Sequence, residues 1–350
     1  LKDDEPLMSK GQVVAYDQFA IKAGSIDKND VFAAIDNICT SKKNATIKVQ
    51  KDKTNGTITL SNAYFNLTFD GKTGFISRYS ISGCDMIAKG GTLKPNFWRA
   101  PTDNDMGAEV QKDNAIWRNP TFSLLTLKAE NVKPANKKDL PSVRITALYD
   151  VPEVYVALTL TYDINIDGQV NVEQKMEVQG DKNIPDLLRF GMVMDMPNTF
   201  NKSVFYGRGP VENYSDRKQS QLIGVYTQTV DEQYYPYIRP QETGLKTDIR
   251  YWKQLQDGCY GLAVVPQEPC SMSALHYTVS SLDNGLEKTQ RHGSLVEKSP
   301  LTHLYIDAIQ AGVGGIDSWS KKAIALEPYR VHYQNRTFRF TLGACTDKKP

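Results

Sequence analysis

Alternation with a period of two is the feature that most narrows the folds open to this chain. ATIKVQ (45–50), GTITLS (56–61), AYFNLTFD (63–70), VRITALYDV (143–151), VYVALTLTYDINI (154–166) and VNVEQKMEV (170–178) alternate apolar with polar residues or are rich in Val, Ile, Thr, Tyr and Phe. Turn signals separate them: TNG at 54–56, DGKTG at 70–74 and IDGQ at 166–169. TFRFTLG (337–343) repeats the pattern near the C-terminus. Helical periodicity is scarce. VFAAIDNICTSKK (31–43) is helix-compatible, and SSLDNGLEKTQRH (280–292) is the better helix candidate, although Gly285 weakens it. An eight-unit βα barrel would need strand–helix alternation over about 250 residues, which is missing. The pattern predicts an all-β chain, a large antiparallel sandwich with few short helices.

The chain has 350 residues, enough for two domains or one large β domain with an appendage. QVVAYDQFAIKA (12–23) reads as a strand and the polar KAGSIDKND (22–30) follows it. The expected division is therefore residues 1–24 as the end of a small β domain, 25–55 as a linker with a short helix, 56–345 as the main sandwich and 346–350 as a tail. A formal net charge of +2, well mixed along the chain, gives no basic block for nucleic acid. No apolar run is long enough to span a membrane, and LKDDEPLMSKG has no apolar signal core. That start leaves the compartment open between bacterial cytoplasm and periplasm.

Cys39, Cys84, Cys259, Cys270 and Cys345 have no CxxC spacing and are odd in number. That argues against a zinc site or a disulfide framework, and each is expected to be a small buried apolar residue. His276, His292, His303 and His332 show no i, i+4 pair of the kind a helical metal site needs. There is no nucleophile elbow, phosphate loop or dinucleotide glycine pattern.

Four segments carry side chains suited to chemistry. FWRAPTDNDMG (97–107) sets Asp103, Asn104 and Asp105 within three positions. They suit a cation or sugar hydroxyls, or form an Asx-rich turn with Arg99 paired to an acid. YGRGPVENYSDRKQS (206–220) holds Glu212, Asn213, Asp216 and Arg217, which fix loops as readily as they bind ligands. YYPYIRPQETGLKTDIRYW (234–252) is dense in Tyr, with Arg239, Glu242 and Arg250. Rings with convergent polar groups suit carbohydrate, and they equally suit a subunit or domain surface. AGVGGIDSWS (311–320) places three glycines before Asp317, Ser318 and Trp319, which marks a tight loop bearing a large aromatic. Sugar hydrolysis needs two carboxylates about 5–9 Å apart. Glu212, Asp216, Glu242, Asp103 and Asp317 are available, and sequence alone pairs none of them.

In that order these four segments resemble the C-terminal part of family 2 β-galactosidases, the small chain or domain 5, over roughly residues 56–345. LMSKGQVVAYDQFAI (7–21) resembles the end of the immunoglobulin-like domain that precedes it. The resemblance implies a supersandwich related to the galactose mutarotase fold. It implies that Trp319 reaches into an active site in a barrel and stacks on the sugar, the alternative being a buried turn anchor. Asp317 and Ser318 are then loop holders. Asp103, Asn104, Asp105, Glu212, Asn213 and Glu242 are weaker substrate-binding candidates. No catalytic residue and no metal ligand is expected in this chain. The catalytic glutamates, and Mg2+ or another divalent cation with Na+ as an option, belong to the barrel. The implied partners are the N-terminal domains and barrel of the same enzyme, a galactoside substrate and a second copy in a homo-oligomer. The chain reads as a fragment without hydrolytic activity alone, with an apolar interdomain face that favours weak self-association. Three rivals stand beside this reading. One is a free-standing sugar-binding module. A second is a mutarotase-like enzyme, which needs an acid and a base across a sugar ring, with His303 or His332 facing a cleft. The third is a purely structural domain whose Trp319 never meets substrate.

Overall fold

The computed structural model describes residues 1–21, 31–32, 46–132, 142–180, 182–257, 260–287 and 291–346. In chain order the strands begin with β1 (Lys48–Lys51), β2 (Ile58–Ser61), β3 (Phe65–Phe69), β4 (Ile76–Ile81), β5 (Cys84–Asp85) and β6 (Leu93–Asn96). Next come β7 (Ser123–Val132), β8 (Ser142–Val151), β9 (Val156–Asn165), β10 (Val170–Val178), β11 (Arg189–Pro197), β12 (Lys202–Gly209) and β13 (Leu222–Thr229). The last are β14 (Lys246–Ile249), β15 (Tyr251–Leu255), β16 (Gly261–Pro266), β17 (Cys270–Leu275), β18 (Leu301–Gln310) and β19 (Arg336–Cys345). The α-helices whose bounds are described are α1 (Asp103–Gly107), α2 (Val110–Asp113), α3 (Val230–Gln233) and α4 (Val279–Leu282).

Two sheets result. One runs β1-β2-β3-β4-β6-β11-β18-β17-β14, with β5 beside β4. The other runs β13-β12-β15-β16-β19-β10-β9-β8-β7. Every pairing of these strands is antiparallel. The predicted antiparallel sandwich is the observed architecture. The periodic segments found in the sequence lie in β1, β2, β3, β8, β9, β10 and β19. In β9 and β12 buried and partly exposed residues alternate, as one-sided packing demands. The turns at 54–56 and 70–74 pack against each other so closely that a side chain on Gly71 would meet Asn55 O at 2.1 Å.

Where the two sheets face each other, aromatic rings fill the gap. Phe69 of β3 meets Tyr162 of β9 edge-on with centroids 5.0 Å apart, and within the second sheet Phe205 stacks on Trp252 at 4.9 Å. Such pairs add to the area term of core burial. β11, β15, β16, β17 and β18 are buried on both faces or nearly so. Over β11, β17 and β18 part of that second face meets Ala100 and Glu242 of the candidate-site loops, and beside β16 Phe32 lies against Gly343.

Three expectations need correction. Residues 12–21 form no strand; Val13, Tyr16 and Phe19 are exposed. Strand propensity needs a partner edge, and this segment meets the sheet through side chains instead. Gln18 Nε2 donates to Ile223 O and Gln18 Oε1 accepts from Ile223 N, which closes part of the exposed edge of β13. The helix expected at 280–292 is a single turn, α4, capped by Thr278. Asp283 leaves it to meet Trp98 and Arg118, and Gly285 takes φ +83°. Cys84 is disulfide-bonded, which spacing alone could not signal. Cys270 is a buried free thiol and Cys345 is buried, as expected. The sheet also begins at Lys48, within the stretch read as linker. Val31 and Phe32 are helical and buried, and the remainder of the helix candidate at 31–43 lies outside the described residues. No helix among the described residues is long and apolar enough to cross a membrane.

Trp252 is fully buried and its Nε1 donates to Gln254 Oε1 at 2.9 Å. Trp252→Ala should cost about 3–5 kcal/mol. Leu125→Ala, at a side chain 60% exposed, should stay within about 0.5 kcal/mol. Urea midpoints at constant slope measure both.

Candidate functional site

The loop 311–320 is built on the loop 97–107. Arg99 leaves β6 fully buried, and its Nε and Nη2 donate to the two oxygens of Asp105 at 3.1 and 2.9 Å. Its remaining reach goes to Ala311 O and Gly312 O, at 2.5 and 2.9 Å. A planar guanidinium can serve a carboxylate and two carbonyls at once, which an ammonium on a flexible stem cannot do with the same geometry. Asp105 also closes the N-terminus of α1. It accepts from Thr102 N while Thr102 Oγ1 accepts from Asp105 N, a capping box. Asn104 Nδ2 donates to Val313 O at 2.9 Å. Gly107 sits against Ser318; a side chain there would come within 2.2 Å of Ser318 O.

The glycines of GVGG are explained by close approach. A Cβ on Gly312 would lie 2.4 Å from Asp216 Oδ2, and one on Gly315 would lie 2.3 Å from Ala323 O. Asp216 Oδ2 accepts from Gly314 N at 2.7 Å. Asp317 then fixes the tip. It accepts from Trp319 N, Ser320 N and Ser320 Oγ at 3.2, 3.0 and 2.6 Å. The Ser320 hydroxyl and these backbone donors hold its carboxyl below the usual range. Lys321 ties the far side to Asp113 and Glu109. The backbone is thus held from several directions, while the Trp319 side chain is 80% exposed. Trp319 is not a buried anchor of its turn.

The other candidate residues serve the framework. Asp103 takes Arg239 Nε at 2.7 Å. Glu212 accepts from Arg217, Tyr237, Thr243 and Gly244. Asn213 is fully buried and bonds Thr247, Arg208 and Val211. Glu242 is buried, with Oε1 3.3 Å from Arg189 Nη2. Each of these side chains already has a partner within the protein. The carboxylates hold loops in place.

Sequence reasoning missed the buried cluster beneath these loops. Arg189 lies between Glu242 and Asp307, whose Oδ2 is 3.1 Å from its Nε, and it also donates to Gln310. Two acids share one cation out of water. Burial pushes the Glu242 carboxyl up and the Asp307 carboxyl up to about 7, against the pull of Arg189. Lys246, whose Nζ donates to Gly244 O, is buried elsewhere on β14, and desolvation brings its ammonium down to about 8. No run of letters announces the Arg189 cluster, because its members come from β11, β18 and a loop. His332 bonds Asp186 and Glu327. His303 faces a cavity on the sheet, beside Asp195. No group of three or more His, Cys, Asp or Glu poised to hold a metal ion occurs among the described residues.

A family model described as the beta galactosidase small chain matches residues 61–342. The chain belongs to the β-galactosidase small-chain family. This small chain is 30% identical over 341 residues to a β-galactosidase of Priestia megaterium, covering 97% of its own length and 30% of the relative's. It is 32% identical over 259 residues to a β-galactosidase of Vibrio cholerae, covering 72% of its length and 24% of the relative's. It therefore spans less than a third of the length of these curated relatives. Among solved structures, a galactose mutarotase-related enzyme of Lactobacillus acidophilus aligns at TM-score 0.44 and 9% identity, over 83% of this chain and 99% of that one. An α-galactosidase of Lactobacillus brevis aligns at 0.42 and 8%, over 84% and 40%. At those scores neither alignment bears on the site.

The buried cluster predicts a pH dependence. Folded, Asp307 keeps its proton into the neutral range; unfolded, it releases it near the ordinary aspartate value of about 4. The folded state binds the proton more tightly, so this group's contribution to stability is lost as pH rises through about 7. Asp307→Asn removes that titration. The Tm of this variant relative to the parent should rise steadily from about pH 5 to about pH 8. A constant offset would show that Asp307 does not titrate there.

Proposed function

We propose that this small chain is the C-terminal part of a retaining β-galactosidase acting on terminal non-reducing β-D-galactosides, in which it braces the catalytic barrel and supplies Trp319 to the sugar. One observation carries the reading: a single large aromatic stands in solvent on a loop whose backbone is tied down by Arg99, Asn104, Asp216 and Asp317. An indole offers a rigid apolar face that suits the CH face of a pyranose. Fixing the backbone in advance lowers the ordering cost of that contact. Ile316, 73% exposed, and Ile238, 81% exposed, are further apolar side chains in solvent, on this loop and on the loop 234–245. The two glutamates that form and break the galactosyl intermediate, and the divalent cation beside them, would come from the barrel of the parent enzyme. Its N-terminal domains and barrel are the partners of this chain.

The test is hydrolysis of a chromogenic β-galactoside by the chain alone and after mixing with the remaining portion of the enzyme. Activity should appear only on mixing. Hydrolysis by the chain alone would overturn the proposal. In the assembled enzyme Trp319→Ala should lower kcat/KM by about tenfold to a hundredfold with the chain's Tm unchanged. Asp317→Ala frees the loop and keeps the ring, so a smaller fall is expected; unchanged kinetics in Trp319→Ala would remove the tryptophan from the sugar site.

A further inference from the structure

A cavity of about 570 Å³ opens on the outer face of the first sheet, over β6, β11 and β18 and beside α4. None of residues 312–320 lines it. One wall is apolar: Phe75, Phe97 and Phe122, with ring centroids 5.8 to 5.9 Å apart through Phe122. The facing groups are polar. Arg118 Nε lies 3.0 Å from Asp283 Oδ2, and its guanidinium covers the Trp98 ring at 5.1 Å. Asp195 Oδ1 is 2.8 Å from His303 Nδ1. Asn96, on the floor, has a buried Nδ2 that meets no acceptor among the described residues. A buried amide donor in a polar cavity calls for a ligand or a water.

We propose that this cavity is a binding site for a neutral pyranose. The volume falls in the range of small-molecule sites, about 300–1,000 Å³. Lys94 and Arg118 are balanced by Asp195 and Asp283, so the lining has no surplus charge with which to hold a phosphate or another polyion. An apolar wall opposite directed donors and acceptors matches a sugar ring, which has CH faces and a rim of hydroxyls. His303 does not supply acid–base chemistry here. Its Nδ1 is engaged by Asp195 and its Nε2 by Ser299 Oγ, both at 2.8 Å, so it orients Asp195 and has no nitrogen free for the sugar. The site binds and does not interconvert anomers. The inference stands apart from the role proposed for Trp319.

The test is calorimetric titration of the intact chain with methyl β-D-galactopyranoside, D-galactose and D-glucose, followed also by tryptophan fluorescence from Trp98 and Trp117. Saturable binding near about 1 mM is expected for at least one of the three. Ser280→Trp, at an exposed position on the rim, should fill the mouth and weaken binding more than about tenfold. Asp195→Asn, which keeps the shape, should weaken it by a similar factor, and near-ultraviolet circular dichroism reports whether each variant is folded. Trp319→Ala should leave binding unchanged, and inorganic phosphate should not compete. The proposal fails if no sugar saturates the chain. It also fails if phosphate displaces the sugar, or if Trp319→Ala abolishes binding that folded Ser280→Trp or Asp195→Asn retains.

Discussion

Arg99 is the residue on which the arrangement of the site depends. Its guanidinium joins the carboxylate that caps α1 to the carbonyls that open the loop 311–320. Removing one partner of a buried pair leaves the other charge out of water, at a cost larger than the net value of the pair. The consequence is positional. Ala311 and Gly312 cannot move without exposing Arg99 to an uncompensated interior, so the start of the loop is set by the end of β6. From there Asp216 and Asp317 extend the same constraint to the tip by accepting backbone N–H groups. The loop is ordered by charges that lie beneath it, and its one aromatic side chain is left in solvent.

This explains which parts of the molecule were legible in the sequence. β8, β9 and β10 show themselves because one face meets the core and the other meets water or partial cover. β11, β15, β16 and β17 do not, because loops cover their second face and the alternation disappears. Their sequences even include buried ions, Arg189 and Lys253, which read as solvent-facing until a partner is known. Ala100 and Glu242 of the site loops cover part of β11 and β17, and Phe32 lies beside β16.

Within the site, residue type was informative and residue role was not. The glycines of GVGG marked a close approach, and the structure supplies the atoms they approach, Asp216 Oδ2 and Ala323 O. The carboxylates of DND and GPVEN were equally conspicuous, yet the same residue types serve ligands and loops. Asp105 and Glu212 differ from a ligand-binding acid only in having their oxygens already occupied by Arg99, Tyr237, Thr243 and Gly244. That is a fact about three-dimensional neighbours, brought together across more than a hundred residues in the case of Arg99 and Gly312. The N-terminal apolar residues failed for the opposite reason. They have the composition of a strand but join no ladder: Gln18 meets the edge strand β13 with its side chain.

The segment after β6 does two jobs because neighbouring side chains diverge. Phe97 and Trp98 go to the aromatic cavity over the sheet, while Arg99 turns to the base of the Trp319 loop. Trp98 Nε1 donates to Asp283 at 2.9 Å, and Asp283 in turn holds Arg118, so the cavity rim is anchored on residue 98 as firmly as the loop is on residue 99. A shift of this backbone in either direction would break ion pairs on one side or the other. The two surfaces therefore share a rigid support without sharing a residue that faces both. That is why a change confined to the cavity rim can be expected to leave Trp319 in place, and why a change of side-chain type at Arg99 should disturb the loop while one at Trp98 should disturb the cavity rim.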